Sequence, residues 1–263
     1  RWTCLPWRAK NYLRGGGLSI HSALKGAVRL GTGLPGWRYS GCSTDFVRIR
    51  VAIRDTGSEM SQSDREKWNR KYREGEYSTR KHPSVLLEEW LPRLTVDSEP
   101  PRAMDVGCGL GRNSLYLARR GWHVVAVDVS EVALERLGQA AADENLPITC
   151  LQRDLETVPA SPEDPAMTGP YDLVIMIRYT NIPLIGPLKS ALVQGGYLLV
   201  EDHLDTEAEV VGPRESRFRV APGQLREAAG DFEVIHYQEG LLEDPDHRPV
   251  ALAQLVARRP GGT

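Results

Sequence analysis

Short apolar runs alternate with amphipathic segments from about residue 64 to the end of the chain. Residues 173–177 form an unbroken apolar run, which is typical of a strand buried on both faces of a sheet. Other segments place apolar residues three and four positions apart, as a helix packed on one face requires. The predicted strands are 103–107, 123–128, 148–152, 171–178 and 197–202. The predicted helices are 64–74, 85–91, 112–120, 131–142, 183–193 and 222–229.

Two later apolar segments, 232–238 and 250–257, are joined by a charged loop, and they predict an antiparallel hairpin near the end of the chain. The earlier alternation of strands and helices indicates a mostly parallel sheet wrapped by helices. We therefore expect an α/β protein with a sheet of seven strands, the last of them antiparallel.

The first 59 residues show no sustained apolar period. They carry ten Arg and Lys against three Asp and Glu, a formal charge of +7, which leaves −9 for the remainder of a chain whose net charge is −2. We expect an irregular basic leader over 1–59 and one domain over 60–263. Three interpretations of the leader stay open: an organelle-targeting peptide, a basic arm, or a start codon assigned too early, with Met60 the true first residue. We favour the last, because the chain starts on Arg1 and changes character abruptly.

Composition narrows the possible partners. Residues 60–263 carry a net negative charge, which is poorly suited to binding a phosphate backbone. Nucleic acid is therefore not the expected partner. The four cysteines form no CxxC pair and have no histidines at zinc-site spacing, so we expect no metal site and a cytoplasmic location. No apolar run approaches the roughly 18–20 residues that span a bilayer, so we expect no membrane partner.

A predicted strand end followed by three glycines is the most informative motif. Asp105 closes the strand, and Gly107, Gly109 and Gly111 follow at alternate positions before a helix. Glycine permits a positive φ there and lets the backbone approach a ligand closely. A dinucleotide fold expects GxGxxG, whose third glycine would stand where this chain has Arg112. The spacing therefore argues against a nicotinamide or flavin site.

Two more acidic residues follow predicted strands. Asp128 lies near the carboxyl end of the second strand, the end that borders the ligand crevice in a doubly wound sheet. A carboxylate there can accept both hydroxyls of a ribose. Because Ser130 already supplies an N-cap for the next helix, we expect Asp128 to be free for a ligand. Asp154, after the third strand, either contacts the ligand or caps its own loop.

Four segments resemble class I S-adenosylmethionine-dependent methyltransferases, and within that class the bacterial tellurite-resistance methyltransferases. They are Trp68-Asn-Arg-Lys-Tyr, Asp105-Val-Gly-Cys-Gly-Leu-Gly-Arg-Asn-Ser-Leu-Tyr-Leu-Ala, Val127-Asp-Val-Ser and Gly195-Gly-Tyr-Leu-Leu-Val. The resemblance covers residues 68–258. It implies a Rossmann-like fold with seven mostly parallel strands, helices on both faces and an antiparallel last strand. Residues 178–183 do not match the Asn-Pro-Pro-Tyr motif of amino-directed DNA methyltransferases.

The resemblance also implies S-adenosylmethionine as the cofactor. Asp128 would then bind the ribose and Asp154 the adenine amino group. The cofactor-binding residues it implies are Asp105, Gly107, Gly109, Gly111, Arg112, Asn113, Asp128, Val129, Asp154, Leu155 and Ile177.

Methyl transfer is an in-line displacement, so much of the enzyme's work is to hold the nucleophile in place. A general base is needed only for an acceptor that carries a proton. Arg178 could neutralise an anionic substrate or pair with a nearby carboxylate. His203 could act as a base or be structural. Trp68 and Tyr72 could cover the pocket or simply pack together.

We therefore expect a methyltransferase that acts on a small-molecule or soft-anion acceptor. Two alternatives stay open: a methyltransferase acting on protein or RNA, and a relative that binds the cofactor without turnover. The short C-terminal region, without an added recognition domain, favours the small-molecule acceptor.

Overall fold

The computed structural model describes residues 59–156 and 169–261. Residues 1–58 of the expected leader lie outside the described residues, and a helix already begins at Glu59, so the division at residue 59 stays a prediction. The helices are α1 (Glu59–Arg73), α2 (Val85–Trp90), α3 (Arg112–Ala118), α4 (Glu131–Asp143), α5 (Ile185–Ala191) and α6 (Gln224–Ala229). The strands are β1 (Arg102–Val106), β2 (His123–Asp128), β3 (Ile148–Gln152), β4 (Tyr171–Ile177), β5 (Leu192–His203), β6 (Glu233–Glu243) and β7 (Pro249–Arg258). Short 3₁₀ helices occupy Leu91–Arg93, Ile182–Leu184 and Ser216–Phe218.

The strands of this part of the chain form one sheet in the order β3-β2-β1-β4-β5-β7-β6. The pairings among β1 to β5 are parallel, whereas β7 runs antiparallel to both β5 and β6. The predicted α/β fold, with seven mostly parallel strands and an antiparallel last strand, is confirmed.

Strand β4 shows why the apolar pattern is unbroken at the centre of the sheet. Leu173 and Ile175 pack in a cluster with α2 and α3, while Val174 and Met176 pack with α5 and α6 on the other face. All seven residues of β4 are buried. The sheet therefore carries helices on both faces, and side chains at the carboxyl ends of β1, β2, β4 and β5 meet at one edge.

Candidate functional site

The three glycines form the turns that join β1 to α3. Gly107, Gly109 and Gly111 have φ values of +66°, +53° and +78°, in the left-handed region that favours glycine. A Cβ at Gly111, the N-cap of α3, would overlap the side chain of Leu137 in α4. These glycine turns therefore have the positive φ values that the sequence predicted.

The space beside two of these glycines is filled by tyrosines. A Cβ on Gly107 would lie 2.6 Å from Cγ of Tyr179, and a Cβ on Gly109 would lie 2.8 Å from the Tyr72 hydroxyl oxygen. Aromatic side chains of the protein therefore occupy the space that a side chain at either position would need, and the contact of these glycines with a ligand stays a prediction.

Asp105 lies beneath the glycine turns. Its Oδ2 accepts a 2.6 Å hydrogen bond from the Ser114 hydroxyl, and the carboxyl group is buried. Burial raises its pKa to about 7. Asp105 thus ties the end of β1 to α3 and supports the turns from below.

Asp128 holds the glycine turns from the side. Its Oδ2 accepts the Gly109 N–H at 2.8 Å, and its Oδ1 accepts the Ser130 N–H at 2.8 Å. Ser130 caps α4 as predicted, since its Oγ accepts the Ala133 N–H. The prediction that this cap leaves Asp128 free is wrong. Each carboxylate oxygen nevertheless retains a lone pair for a further donor.

Asp154 carries an unused acceptor next to Asp128. The backbone connects the two sites, because the Asp128 carbonyl accepts the Arg153 N–H at 3.0 Å. Oδ1 of Asp154 accepts the Glu156 N–H at 2.9 Å, whereas the buried Oδ2 has no hydrogen-bond partner within the described residues. Both interpretations of Asp154 are therefore compatible with its geometry: one oxygen caps the loop and the other is available to a donor.

The loops after β2, β3 and β4 are tied to one another. Gln152 Nε2 donates to the carbonyl of Val129 at 3.1 Å, and Asn181 Nδ2 donates to the carbonyl of Leu155 at 3.0 Å. Ile177 is buried at the end of β4. The three apolar residues predicted to line the cofactor thus lie on loops and a strand end that border the same edge.

Arg112 and Asn113 make their side-chain contacts with the segment that leads into α2. Arg112 Nη1 donates to the His82 carbonyl at 3.0 Å, and Asn113 Oδ1 accepts the Ser84 N–H at 2.9 Å. The structure therefore gives these two residues a role in holding this segment, which the sequence did not suggest.

Helix α1 brings an aromatic group to the glycine turns. Trp68, Tyr72 and Tyr77 have ring centroids 6.0–6.3 Å apart, and Tyr72 is buried. Asn69 docks the helix on α4, because its Oδ1 accepts the Ser130 hydroxyl at 2.7 Å. The aromatic pair of α1 thus packs together and also reaches the site.

Arg178, directly after β4, has a left-handed backbone with φ +58°, which is uncommon for a residue with a side chain. Its Nε donates to Oε1 of Glu201 at 2.8 Å, and its Nη1 lies 3.2 Å from Nε2 of His203. The ion pair with a nearby carboxylate, one of the two expected interpretations, is therefore present. Glu201 is buried and also accepts from Ser84 and Gln254, two contacts that no sequence motif indicates.

His203 is poorly suited to act as a base. Burial and the nearby guanidinium of Arg178 lower its pKa to about 3. Its Nε2 faces the Arg178 donor, so that nitrogen is the acceptor of the neutral ring. The suggestion that His203 takes a proton near neutral pH is therefore corrected by its surroundings.

Residues 59–156 and 169–261 contain neither a cluster of metal ligands nor a membrane-spanning helix. No group of three or more His, Cys, Asp or Glu side chains is placed to hold a metal ion there. No helix in those ranges has the length and apolar character that crossing a membrane requires.

One protein family model matches most of the described chain. The family model described as tellurite resistance protein TehB matches residues 71–248. A probable S-adenosyl-L-methionine-dependent methyltransferase TehB of Haemophilus influenzae is 26% identical over 168 residues, which cover 64% of this chain and 58% of that protein. A protein of Eikenella corrodens named hemagglutinin 1 is 27% identical over 199 residues, which cover 71% of this chain and 64% of that protein.

A solved structure extends the match to the fold. The crystal structure of TehB from Haemophilus influenzae superposes with a TM-score of 0.55 at 25% identity, covering 72% of this chain and 66% of that one. The chain thus spans about three fifths of the length of the two curated relatives it matches.

Proposed function

Because the chain belongs to the tellurite resistance protein TehB family, we propose that it is an S-adenosylmethionine-dependent methyltransferase acting on a small-molecule or soft-anion acceptor. A cytoplasmic location is part of the proposal, since the cysteines show no disulfide pattern.

The unused buried oxygen of Asp154 is the observation that carries the proposal. A buried acceptor without a donor is costly, and the amino group of an adenine would satisfy it. Asp128, which the backbone places next to it, would accept the ribose hydroxyls with the lone pairs that its two backbone donors leave over. We assign the backbone of Gly107 and Gly109, together with Val129, Leu155 and Ile177, to the remaining contacts.

Three other residues of the site would support these contacts. Asp105 positions the glycine turns through Ser114. Tyr72 and Tyr179, which stand against Gly109 and Gly107, would flank the bound molecule and exclude water from it.

S-adenosylmethionine, when bound, supplies an electrophilic methyl group for an in-line displacement. The protein has to hold the acceptor in line and close, and it has to accept a proton only if the acceptor carries one. His203, with its pKa near 3, does not provide such a base at neutral pH. This favours an acceptor that is already deprotonated, such as a thiolate or another soft anion.

Release of S-adenosylhomocysteine tests the proposal. The purified chain is incubated with S-adenosylmethionine and, separately, with thiols, selenite, tellurite and small carboxylates. The proposal expects release that depends on the acceptor and that exceeds the rate without acceptor for at least one class. Tight binding of S-adenosylmethionine with no release on any acceptor would instead indicate a binding protein without turnover.

A further inference from the structure

A cleft lies on the face of the sheet that carries α2 and α3, beyond the side chain of Arg178. It encloses about 190 Å³ between the start of α2, the end of β5 and the β6–β7 hairpin. Arg112, Arg178 and Gln254 supply polar groups to its lining, while Leu86, Leu242 and Leu252 supply apolar ones. The cleft therefore combines a charged part with an apolar part.

The net charge of the cleft depends on which of its carboxylates pair with basic side chains. Four carboxylates belong to the lining, and each lies within 3.2 Å of a basic side chain. The pairs are Glu89 with Arg93 at 3.1 Å, Glu201 with Arg178 at 2.8 Å, Glu243 with His247 at 2.6 Å and Asp244 with Arg80 at 3.2 Å. The three carboxylates that pair with arginines are thus already matched, whereas Glu243 is exposed to solvent and is matched by His247 only when that histidine is protonated.

Arg112 is a charged residue of the lining without a carboxylate partner among the described residues. It has no carboxylate within 4.0 Å in the described part of the chain, and its Nη1 donates to the neutral carbonyl of His82. A guanidinium has five N–H donors, so several stay available. Burial and the neighbouring Arg178 lower the pKa of Arg112, which means that its charge is poorly solvated where it stands. An anion in the cleft would relieve that cost.

The cleft adjoins the glycine turns through two pairs of consecutive residues. Arg112 directly follows Gly111. On the other side, the left-handed backbone of Arg178 turns its side chain toward Glu201, while the next residue, Tyr179, lies against Gly107. Arg178 and Tyr179 therefore form a common wall between the cleft and the proposed cofactor site.

We propose that this cleft is the acceptor site and that it takes small organic acids, with the anionic group on Arg112 and the apolar body against Leu242 and Leu252. This inference rests on the proposed methyltransferase function, because the cleft adjoins the proposed cofactor site. The volume lies below the roughly 300–1,000 Å³ of pockets for drug-sized ligands, so the acid is small. A bare inorganic oxyanion would leave the apolar walls uncovered.

Calorimetric titration of the full chain, saturated with S-adenosylhomocysteine, tests the proposal with three probes. Benzoate has both an anionic group and an apolar body, benzamide has the body without the charge, and selenite has the charge without the body. Benzoate is expected to bind about tenfold or more tightly than either of the others, as a charge-assisted hydrogen bond in a partly buried site predicts. Equal binding of benzoate and benzamide, or of benzoate and selenite, would overturn the proposal.

Two variants with matched controls assign the contacts. Arg112→Met should weaken benzoate about tenfold and leave benzamide unchanged, while Arg119→Met, which removes an exposed arginine paired with Glu144 outside the lining, should change neither. Leu242→Gln should weaken benzoate and leave selenite unchanged, while Leu241→Gln, at the exposed neighbouring position, should change neither. Unaltered benzoate binding in both Arg112→Met and Leu242→Gln would place the acid elsewhere.

The affinity for S-adenosylhomocysteine separates this inference from the function it rests on. The family resemblance predicts Arg112 as a cofactor-binding residue, whereas the inference assigns its side chain to the cleft and therefore expects Arg112→Met to keep that affinity. If it instead loses S-adenosylhomocysteine and keeps benzoate, Arg112 belongs to the cofactor site and the proposal is wrong. If the wild-type chain does not bind S-adenosylhomocysteine at all, the proposed function fails, whereas benzoate titrated into the chain alone still reports on the cleft.

Discussion

At the scale of single residues, the glycine turns are constrained by two separate effects. Position 107 requires glycine both because its φ is positive and because the ring of Tyr179 leaves no room for a Cβ. Gly121, with φ +87°, has nothing within 4 Å of an added Cβ. Comparing the two positions therefore separates backbone strain from side-chain overlap.

We predict that Gly107→Ala lowers the free energy of unfolding by about 1–3 kcal/mol more than Gly121→Ala, which is the range for overpacking. Urea unfolding of both variants measures the difference. Gly107→Ala should cost less stability in a Tyr179→Ala background than in the wild type, because that background lacks the overlapping ring. Equal losses at the two glycines would show that Tyr179 does not constrain the turn.

Asp128 combines a structural and a binding role. We predict that Asp128→Ala weakens S-adenosylmethionine binding about ten- to a hundredfold, as the loss of charge-assisted hydrogen bonds implies. Because Asp128 also accepts the Gly109 and Ser130 N–H groups, the variant should lose about 1–3 kcal/mol of stability as well. Titration calorimetry and urea unfolding measure the two effects. Unchanged affinity in a folded variant would remove Asp128 from the site.

The raised pKa of Asp105 predicts how the stability of the protein depends on pH. Its pKa in the folded state is about 7, above the ordinary value of 3.8, so the folded protein holds the proton over a range in which the unfolded chain has lost it. The contribution of Asp105 to stability therefore falls as the pH rises from about 4 to about 7 and is constant above that. The slope is at most about 1.4 kcal/mol per pH unit.

Asp105→Asn isolates this effect from other titrating groups. His203, whose pKa is lowered, acts in the opposite direction, since its contribution is lost as the pH falls below about 6.5. The stability of the wild type minus that of Asp105→Asn should therefore decrease with rising pH between 4 and 7, by urea unfolding at each pH. A difference that is constant over this window would contradict the raised pKa.

At the scale of elements, α1 depends on one buried amide. Asn69 accepts the Ser130 hydroxyl at 2.7 Å and stands one turn before Tyr72, so it sets where that tyrosine meets Gly109. We predict that Asn69→Ala lowers stability by about 1–3 kcal/mol, because it leaves a buried donor without its partner. Hydrogen exchange should become faster in α1, and S-adenosylmethionine should bind more weakly. Arg73→Ala, at an exposed position of the same helix, serves as the control and should change neither.

The bounds of helices and strands were predictable from the sequence where the hydrophobic pattern of the element itself determines them. The bounds 123–128 and 148–152 agree with β2 and β3, and the unbroken apolar run marked β4 as buried on both faces. The predicted helix 183–193 was less accurate, because Ile182–Leu184 forms a 3₁₀ turn and the chain already enters β5 at Leu192. Strand β6 extends five residues past its prediction, where pairing with β7 rather than its own apolar pattern sustains it.

Contacts between distant residues account for what the sequence could not show. The Asp128 carboxylate binds Gly109, and Ser84 binds Glu201 across 117 positions of the chain. Neither contact has a local signal, so the sequence placed Asp128 at the end of a strand, as observed, but could not show its contacts with the backbone. The contact of Tyr179 with Gly107 has no local signal either, and Tyr72 was predicted only as a possible cover of the pocket, without its contact with Gly109.

At the scale of the whole molecule, the parallel strands gather the candidate residues at one edge of the sheet. The glycine turns, Asp128 and Asp154 lie toward β1, β2 and β3, while Arg178, Glu201 and the cleft lie toward β4 and β5. This division puts the proposed cofactor site and the proposed acceptor site side by side, as methyl transfer requires.

The most direct test of the central claim is calorimetric titration with S-adenosylmethionine and with NAD, on the wild type and on Asp154→Asn. The asparagine keeps an oxygen for the Glu156 N–H and replaces the unused acceptor by an amide donor, which would oppose an adenine amino group. We predict that the wild type binds S-adenosylmethionine and not NAD. We also predict that Asp154→Asn weakens this binding about tenfold without loss of stability, while Asp97→Asn, at an exposed position, leaves it unchanged. Preference for NAD, or full affinity in Asp154→Asn, would contradict the claim.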